Sequence, residues 1–565
     1  MQANKDNQNS TFSRWKYFVL TEDIVLNDGY FEEDGTYHDG GDGVLYTWTT
    51  IYIKDAYIDG QNHVISGMYI NDETQTDVSL FYGWAQELKN IKVNNVYLNA
   101  LSRVAGVWAT NQAHPTIYNV HNLGGYLKAQ SGTLCGVALY TYDSFDIAEN
   151  CTNYAKLIQT NNEERINIGG ICNTAKKITH CSNYGDIVAL LGSRIGGIGS
   201  WNERVEYSNN YGDITVLAHD SSRAGGYGGI SGIGNGCNIK NCKNYGNIST
   251  PNTEITGGIY GRGCTGYSLD IENCTNYGYI YGSAIYGYSE GKVTIKHCDN
   301  YGTTTRAFVG GQVLNGSLLY DCKNYGDVIM TEKVFERQHG FFIDGHYKGK
   351  ATLIDCGMYG NVSGYMPYYS GIAAHAVSSK TPLLLCIENF DMKAKFNITG
   401  GNYVHILPYA NNIILQNSKF EIESNMKVAL AGGISEAGMV EINNIEINVK
   451  TNVTKTPLIL FHGPIKTPNV VIKNVLINDV GEKYTDVPDW FFDRVVEGVS
   501  IEGIIGKITS QKKVYLQYFG DNFSDFYYSN KQGKIGIKAM NSVGGFQTSI
   551  TEQWLKNKDY FKIEI

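Results

Sequence analysis

Cys151-Thr-Asn-Tyr-Ala155, Cys181-Ser-Asn-Tyr-Gly185, Ser208-Asn-Asn-Tyr-Gly212, Cys242-Lys-Asn-Tyr-Gly246, Cys274-Thr-Asn-Tyr-Gly278, Cys298-Asp-Asn-Tyr-Gly302, Cys322-Lys-Asn-Tyr-Gly326 and Cys356-Gly-Met-Tyr-Gly360 are eight versions of one phrase. They recur every 24 to 34 residues. Such a period signals a stacked repeat. Short apolar runs follow the phrase, as in Asp186-Ile-Val and Asp213-Ile-Thr-Val, and then often Gly-Gly-Ile, as at Gly169–Ile171, Gly196–Ile198 and Gly257–Ile259. These runs are too short and too Gly-rich for helices, since each Gly weakens a helix by about 1 kcal/mol. Short strands between turn residues are the alternative.

One coil of a parallel β-helix fits this unit. A coil cannot bury its own apolar side chains, but stacking at about 4.8 Å makes a continuous core and pairs the backbone from coil to coil. The spacing therefore predicts an all-β fold, a right-handed parallel β-helix of roughly sixteen coils with a small C-terminal cap. The Cys column is expected inside, reduced and packed like a small apolar residue, with Cys386 continuing it. The Tyr-Gly step is expected to be a turn in which Gly supplies a backbone conformation that other residues avoid. The repeat tyrosines, Tyr154 to Tyr359, are expected to stack as a ladder along one corner.

Working outward, residues 1–16 read as a polar tail without a signal peptide, 17–505 as the β-helix, and 506–565 as a cap or attachment segment, with a short helix near Thr551. Asn27 to Gly43 reads as a loop. The 565 residues suit one long solenoid, and the net charge of −9 argues against nucleic acid. No run of 18 apolar residues suggests membrane insertion. The Cys237-x4-Cys242 pair is too little for zinc, so no metal and no cofactor are expected.

The order Leu20-x-x-Asp23-Ile24, Ile58-Asp59-Gly60-x-x-His63-x-Ile65-Ser66-Gly67, Leu80-Phe81, Leu88-Lys-Asn90-Ile91 resembles the opening of bacterial surface proteins with GLUG-type β-helix repeats. The resemblance covers about residues 17–365. It implies a non-catalytic, adhesin-like module, and is also similar to the β-helices of phage fibres and spikes. The function it suggests is an elongated exterior protein, virion-associated as a fibre, spike or decoration protein, contacting host-surface glycans. The alternatives are a bacterial cell-surface adhesin and a polysaccharide depolymerase. Expected partners are host-surface glycans or other virion or surface proteins, with a homotrimer as an open alternative.

An enzyme would need paired acids and bases. Asp186 and Asp213 share a position after Tyr-Gly and would lie about 5 Å apart on adjacent coils, a separation that suits a retaining carboxylate pair. Their counterparts Asn247, Tyr279 and Thr303 argue instead for a solvent-facing turn. Asp344, His346 and Lys348 gather acid, base and cation on an inserted loop. For binding, the candidates are tyrosines outside the ladder: Tyr260, Tyr267, Tyr281, Tyr286, Tyr288, Tyr365, Tyr368 and Tyr369, whose rings could cover sugars.

Overall fold

The computed structural model describes the chain from 16 to 547, apart from 111–114, 141–144, 220–224, 235, 252–254, 264–265, 290, 312–315, 331–339, 345–348, 366–370, 374–383, 401–402, 408–409, 432–433 and several stretches beyond 451; side chains are described, with few exceptions, up to 450. The chain divides into two units, Met1–Ser289 and Glu290–Ile565. Both are parallel β-helical solenoids, and the described residues contain no α-helix.

In the first unit each coil pairs in register with the next. One wall runs through Thr152↔Ser182, Ser182↔Asn209, Asn209↔Lys243 and Lys243↔Thr275. A second runs through Leu157↔Ile187, Ile187↔Ile214 and Ile214↔Ile248. Side chains inside these walls are apolar and fully buried, including Ile178, Val205, Ile239 and Ile271 on one side and Ile171, Ile198, Ile230 and Ile259 at the Gly-Gly-Ile corner.

Two buried columns give the phrase its form. The thiols of Cys151, Cys181, Cys242 and Cys274 are free and buried, and each donates to the carbonyl two residues before it at 3.2–3.3 Å. Ser208 fills the missing rung and makes the same bond, to Glu206 O at 2.8 Å. Beside them Asn153, Asn183, Asn210, Asn244 and Asn276 form an amide ladder, each Nδ2 donating to the next Oδ1 at 2.8–2.9 Å. The same Nδ2 also donates to the carbonyl two residues on, closing the turn.

The two sequence signatures meet here. A Cβ on Gly170, Gly197, Gly229 or Gly258, the second glycine of each Gly-Gly-Ile, would overlap the amide of Asn183, Asn210, Asn244 or Asn276 and the backbone of the next coil. The glycine of Tyr-Gly is also there for close approach: a Cβ on Gly212 or Gly246 would overlap the preceding coil's Gly carbonyl. Its φ is not left-handed, contrary to expectation. The left-handed residue is the one before the Cys position: Asn150, His180, Tyr207, Asn241 and Asn273, at φ of 47–56°. Asn tolerates this region better than most residues, which explains its frequency there.

In the second unit the register corrects the reading of Cys386. It pairs with Thr352 and Ile414 and is only partly buried. Gly357↔Asp391 and Asp391↔Lys419 place Phe390 and Ser418 after Cys356 in the thiol column. Left-handed Asn389, Asn417 and Asn444 mark the same corner. Parallel pairing runs past residue 505, through Ile504↔Phe526 and Leu516↔Ile537. Near the N-terminus, the expected loop holds a small antiparallel hairpin, Gly29–Phe31 with Tyr37–Asp39. Its Phe31 is buried and stacks on Tyr69 at 5.3 Å.

Candidate functional site

The outer corner of the coils carries exposed columns, positioned by the buried ones beneath. The Asn ladder fixes the turn, so the following Tyr projects outward at every rung. In the first unit Tyr154, Tyr184, Tyr211, Tyr245 and Tyr277 stack with centroids 4.4, 4.5, 4.7 and 4.8 Å apart and planes within 5°. Tyr301, Tyr325 and Tyr359 do the same in the second unit at 4.9 and 5.1 Å. The rings of the first-unit column are 38–47 % exposed. Ring faces are used up by neighbouring rings, so solvent meets a row of edges and hydroxyls. Desolvation first, and then the neighbouring phenols, raises the Tyr154 and Tyr211 hydroxyls above the ordinary tyrosine value.

Two residues beyond each Tyr lies a second exposed column. Asp186 Oδ1 accepts the Asp213 N–H at 2.9 Å, Asp213 Oδ1 accepts the Asn247 N–H at 2.7 Å, and Asn247 Oδ1 accepts the Tyr279 N–H at 2.8 Å. Asp327 and Asn361 repeat the bond in the second unit at 2.8 Å. Asn does the same job as Asp here, so the position needs an acceptor for the next coil's amide and no titratable group. The two carboxylates proposed as a retaining pair are thus engaged in coil-to-coil bonding.

The other sequence candidates separate sharply. Asp344 is 1 % exposed and paired with Arg306 at 2.5 Å, which takes it out of reach of a substrate. His346, Lys348, Tyr368 and Tyr369 lie outside the described residues. Tyr260 and Tyr286 are fully buried core, a correction to their reading as ligand-facing rings; Tyr260 donates to Gly234 O at 3.1 Å. They fall on the inward side because their strands alternate, a phase that Tyr-rich sequence does not reveal. Tyr267 is half exposed, Tyr281 and Tyr365 are half-buried, and Tyr288 lies under the guanidinium of Arg262 at 5.1 Å.

Sequence reasoning missed the left-handed column and the later face of the second unit. In that face Tyr359 is followed in register by Lys393, Glu421 and Asn448, and Asn361 by Lys395, Glu423 and Lys450. These side chains, with Ala394 and Ile422, line an open groove of about 660 Å³. Lys395 and Glu423 pair at 3.1 Å and Lys419 and Glu421 at 3.0 Å. A hydrogen bond from Lys419 holds Glu421 below the ordinary Glu value, and one from Lys395 does so for Glu423. Tyr359 closes the aromatic column by donating to Asp391 at 3.0 Å. Period-two alternation of polar with apolar residues along 391–399 and 419–423, with Lys at 393, 395 and 419 and Glu at 421 and 423, was the available signal.

The chain matches no family model, no curated protein and no solved structure.

Proposed function

We propose that the chain is a non-catalytic structural and adhesive solenoid whose outer columns contact surface glycans. The supporting observation is the exposed corner itself. Phenol edges, amides and carboxylates repeat there at one rung spacing, each held by a neighbour in the next coil. A wall ordered in this way loses little entropy on binding, which favours weak but repeated contacts to a polymer. Asp186, Asp213 and Asp344, the described members of the candidate acid–base sets, are already bonded to backbone or to Arg306. The resemblance to GLUG-type surface proteins points the same way, to the exterior of a virion or of a bacterial cell.

The test is a glycan array probed with the full chain, run beside incubation with capsular and host polysaccharides. Retention of particular glycans with no new reducing ends and no unsaturated sugars is the expected result. Release of either product would sink the non-catalytic reading and favour a depolymerase. Labelled antibody on virions and on intact cells would locate the protein.

A further inference from the structure

A second exposed feature lies in the first unit, away from the tyrosine corner. Arg194 places its guanidinium carbon 4.2 Å from the centroid of the Trp201 ring. Arg262 lies 5.1 Å from the Tyr288 ring centroid. The register Trp201↔Ile233, Ile233↔Arg262 and Arg262↔Tyr288 puts these stacks in one column, with the two cations on coils two rungs apart. That is about 10 Å along the axis. Gly226, the partner of Arg194 on the next coil, keeps the column continuous: a Cβ there would come within 2.7 Å of Arg262 Cβ. All four side chains are partly exposed.

Arg262 is the informative member. Among the described residues its guanidinium has neither an ion-pair nor a hydrogen-bond partner, only the ring beneath it. Stacking holds the planar group in place while leaving its N–H edge open. That edge matches two oxygens of a carboxylate or sulfate. A pre-positioned fork suits a sugar carrying an anionic group.

We propose that Arg262 on Tyr288 is the centre of a recognition strip for acidic polysaccharide, its guanidinium taking one anionic group of the polymer, while Arg194 on Trp201 adds positive charge to the same strip. This rests on the adhesive reading above and names its ligand class.

The test uses the full chain and three polymers: polygalacturonate, dextran sulfate and unmodified dextran. Binding is followed by biolayer interferometry at low and high salt. At least one charged polymer binds, salt erodes it, and dextran binds at least about tenfold more weakly. The two charged polymers tell carboxylate from sulfate. Arg262→Ala loses about tenfold in affinity, the scale of one charge-assisted pair. Arg262→Lys does not restore it, because lysine lacks the planar fork. Arg194→Ala gives a smaller loss and adds to it. Thermal melts confirm folding, and Arg262→Gln, which keeps the stem, replaces the alanine variant if that one fails to fold.

Unchanged affinity in a folded Arg262 variant overturns the strip, and so does equal binding of dextran. Binding to neutral glycans alone overturns the strip and leaves the adhesive reading standing. Binding to none of the three polymers overturns the strip, and silence on the glycan array as well takes the adhesive reading with it. Equal binding of double-stranded DNA overturns the saccharide assignment.

Discussion

The coils at 150–289 and those at 384–450 hold the same rung geometry by different chemistry. In the first region a tight turn needs Asn to satisfy its carbonyl and Gly to let the coils approach. In the second, the turn has opened into continuous strand: Asp391–Thr399, Ala410–Ser424 and Ile434–Thr451. Within the second unit the column runs Asn300, Asn324, Met358, Met392, Phe420, Ile447. Once ladder bonds from neighbouring strands satisfy the backbone, an amide inside is no longer needed and an apolar side chain buries more area. The change leaves a mark: Asn324 donates to no partner from Nδ2 among the described residues, and Met358 beside it offers no side-chain oxygen to continue the ladder.

The largest effect is expected inside this comparison. Asn210→Leu strips its bonds to Asn244 and Gly212 and leaves the Asn183 amide without its acceptor. Several buried groups then go unsatisfied, and urea denaturation should show a loss of roughly 3–5 kcal/mol. Ile447→Val, at the same column position in the later coils, should cost only about 1 kcal/mol. Near-equal losses would break the link between the amide and the turn.

Gly229→Ala comes next, at about 1–3 kcal/mol, since the added methyl meets Asn244 and the Gly258 carbonyl. Ala394 stands in the later coils where Gly360 stood, and Ala394→Gly should cost about 1 kcal/mol or less. A neutral Gly229→Ala would mean that the corner can open to admit a methyl group.

The thiol column predicts a pH dependence with a definite sign. Burial raises Cys181 and Cys242 above the ordinary thiol value of 9.0. They are neutral in the folded chain, whereas the unfolded chain ionises near that value. Their contribution is therefore intact below about pH 9 and falls as pH rises above it. Melting temperature followed from about pH 7 to about pH 10.5, a span that brackets the ordinary thiol range, should drop at the alkaline end. Cys181→Ser, which copies the native Ser208 rung, should flatten the drop. A drop of the same depth in that variant would assign the effect to other groups.

The smallest effects lie on the surface. Tyr211→Ala removes two ring stacks and should cost about 1–2 kcal/mol. Lys395→Ala, which removes an exposed ion pair from the later face, should cost under about 0.5 kcal/mol. The reverse order would mean that ion pairs, rather than rings, hold the outer wall.

Periodicity alone determined that the chain climbs in parallel coils, because a unit of about thirty residues with short strands can bury its apolar side only by stacking. It also determined that the repeat tyrosines share one column within each unit, since residues at one place in a repeat share one place in a solenoid. Tertiary structure decided the rest. The phase of each strand sent Tyr260 and Tyr286 inward. Register passed over Cys386 and put Phe390 in the thiol column. Close approach of neighbouring coils, and no special φ, turned out to be the reason for the glycines of Tyr-Gly and Gly-Gly-Ile. Pairing brought Arg262 onto Tyr288. Each of these depends on which atoms of distant coils come within a few ångströms of one another, and spacing along a single chain carries no measure of that.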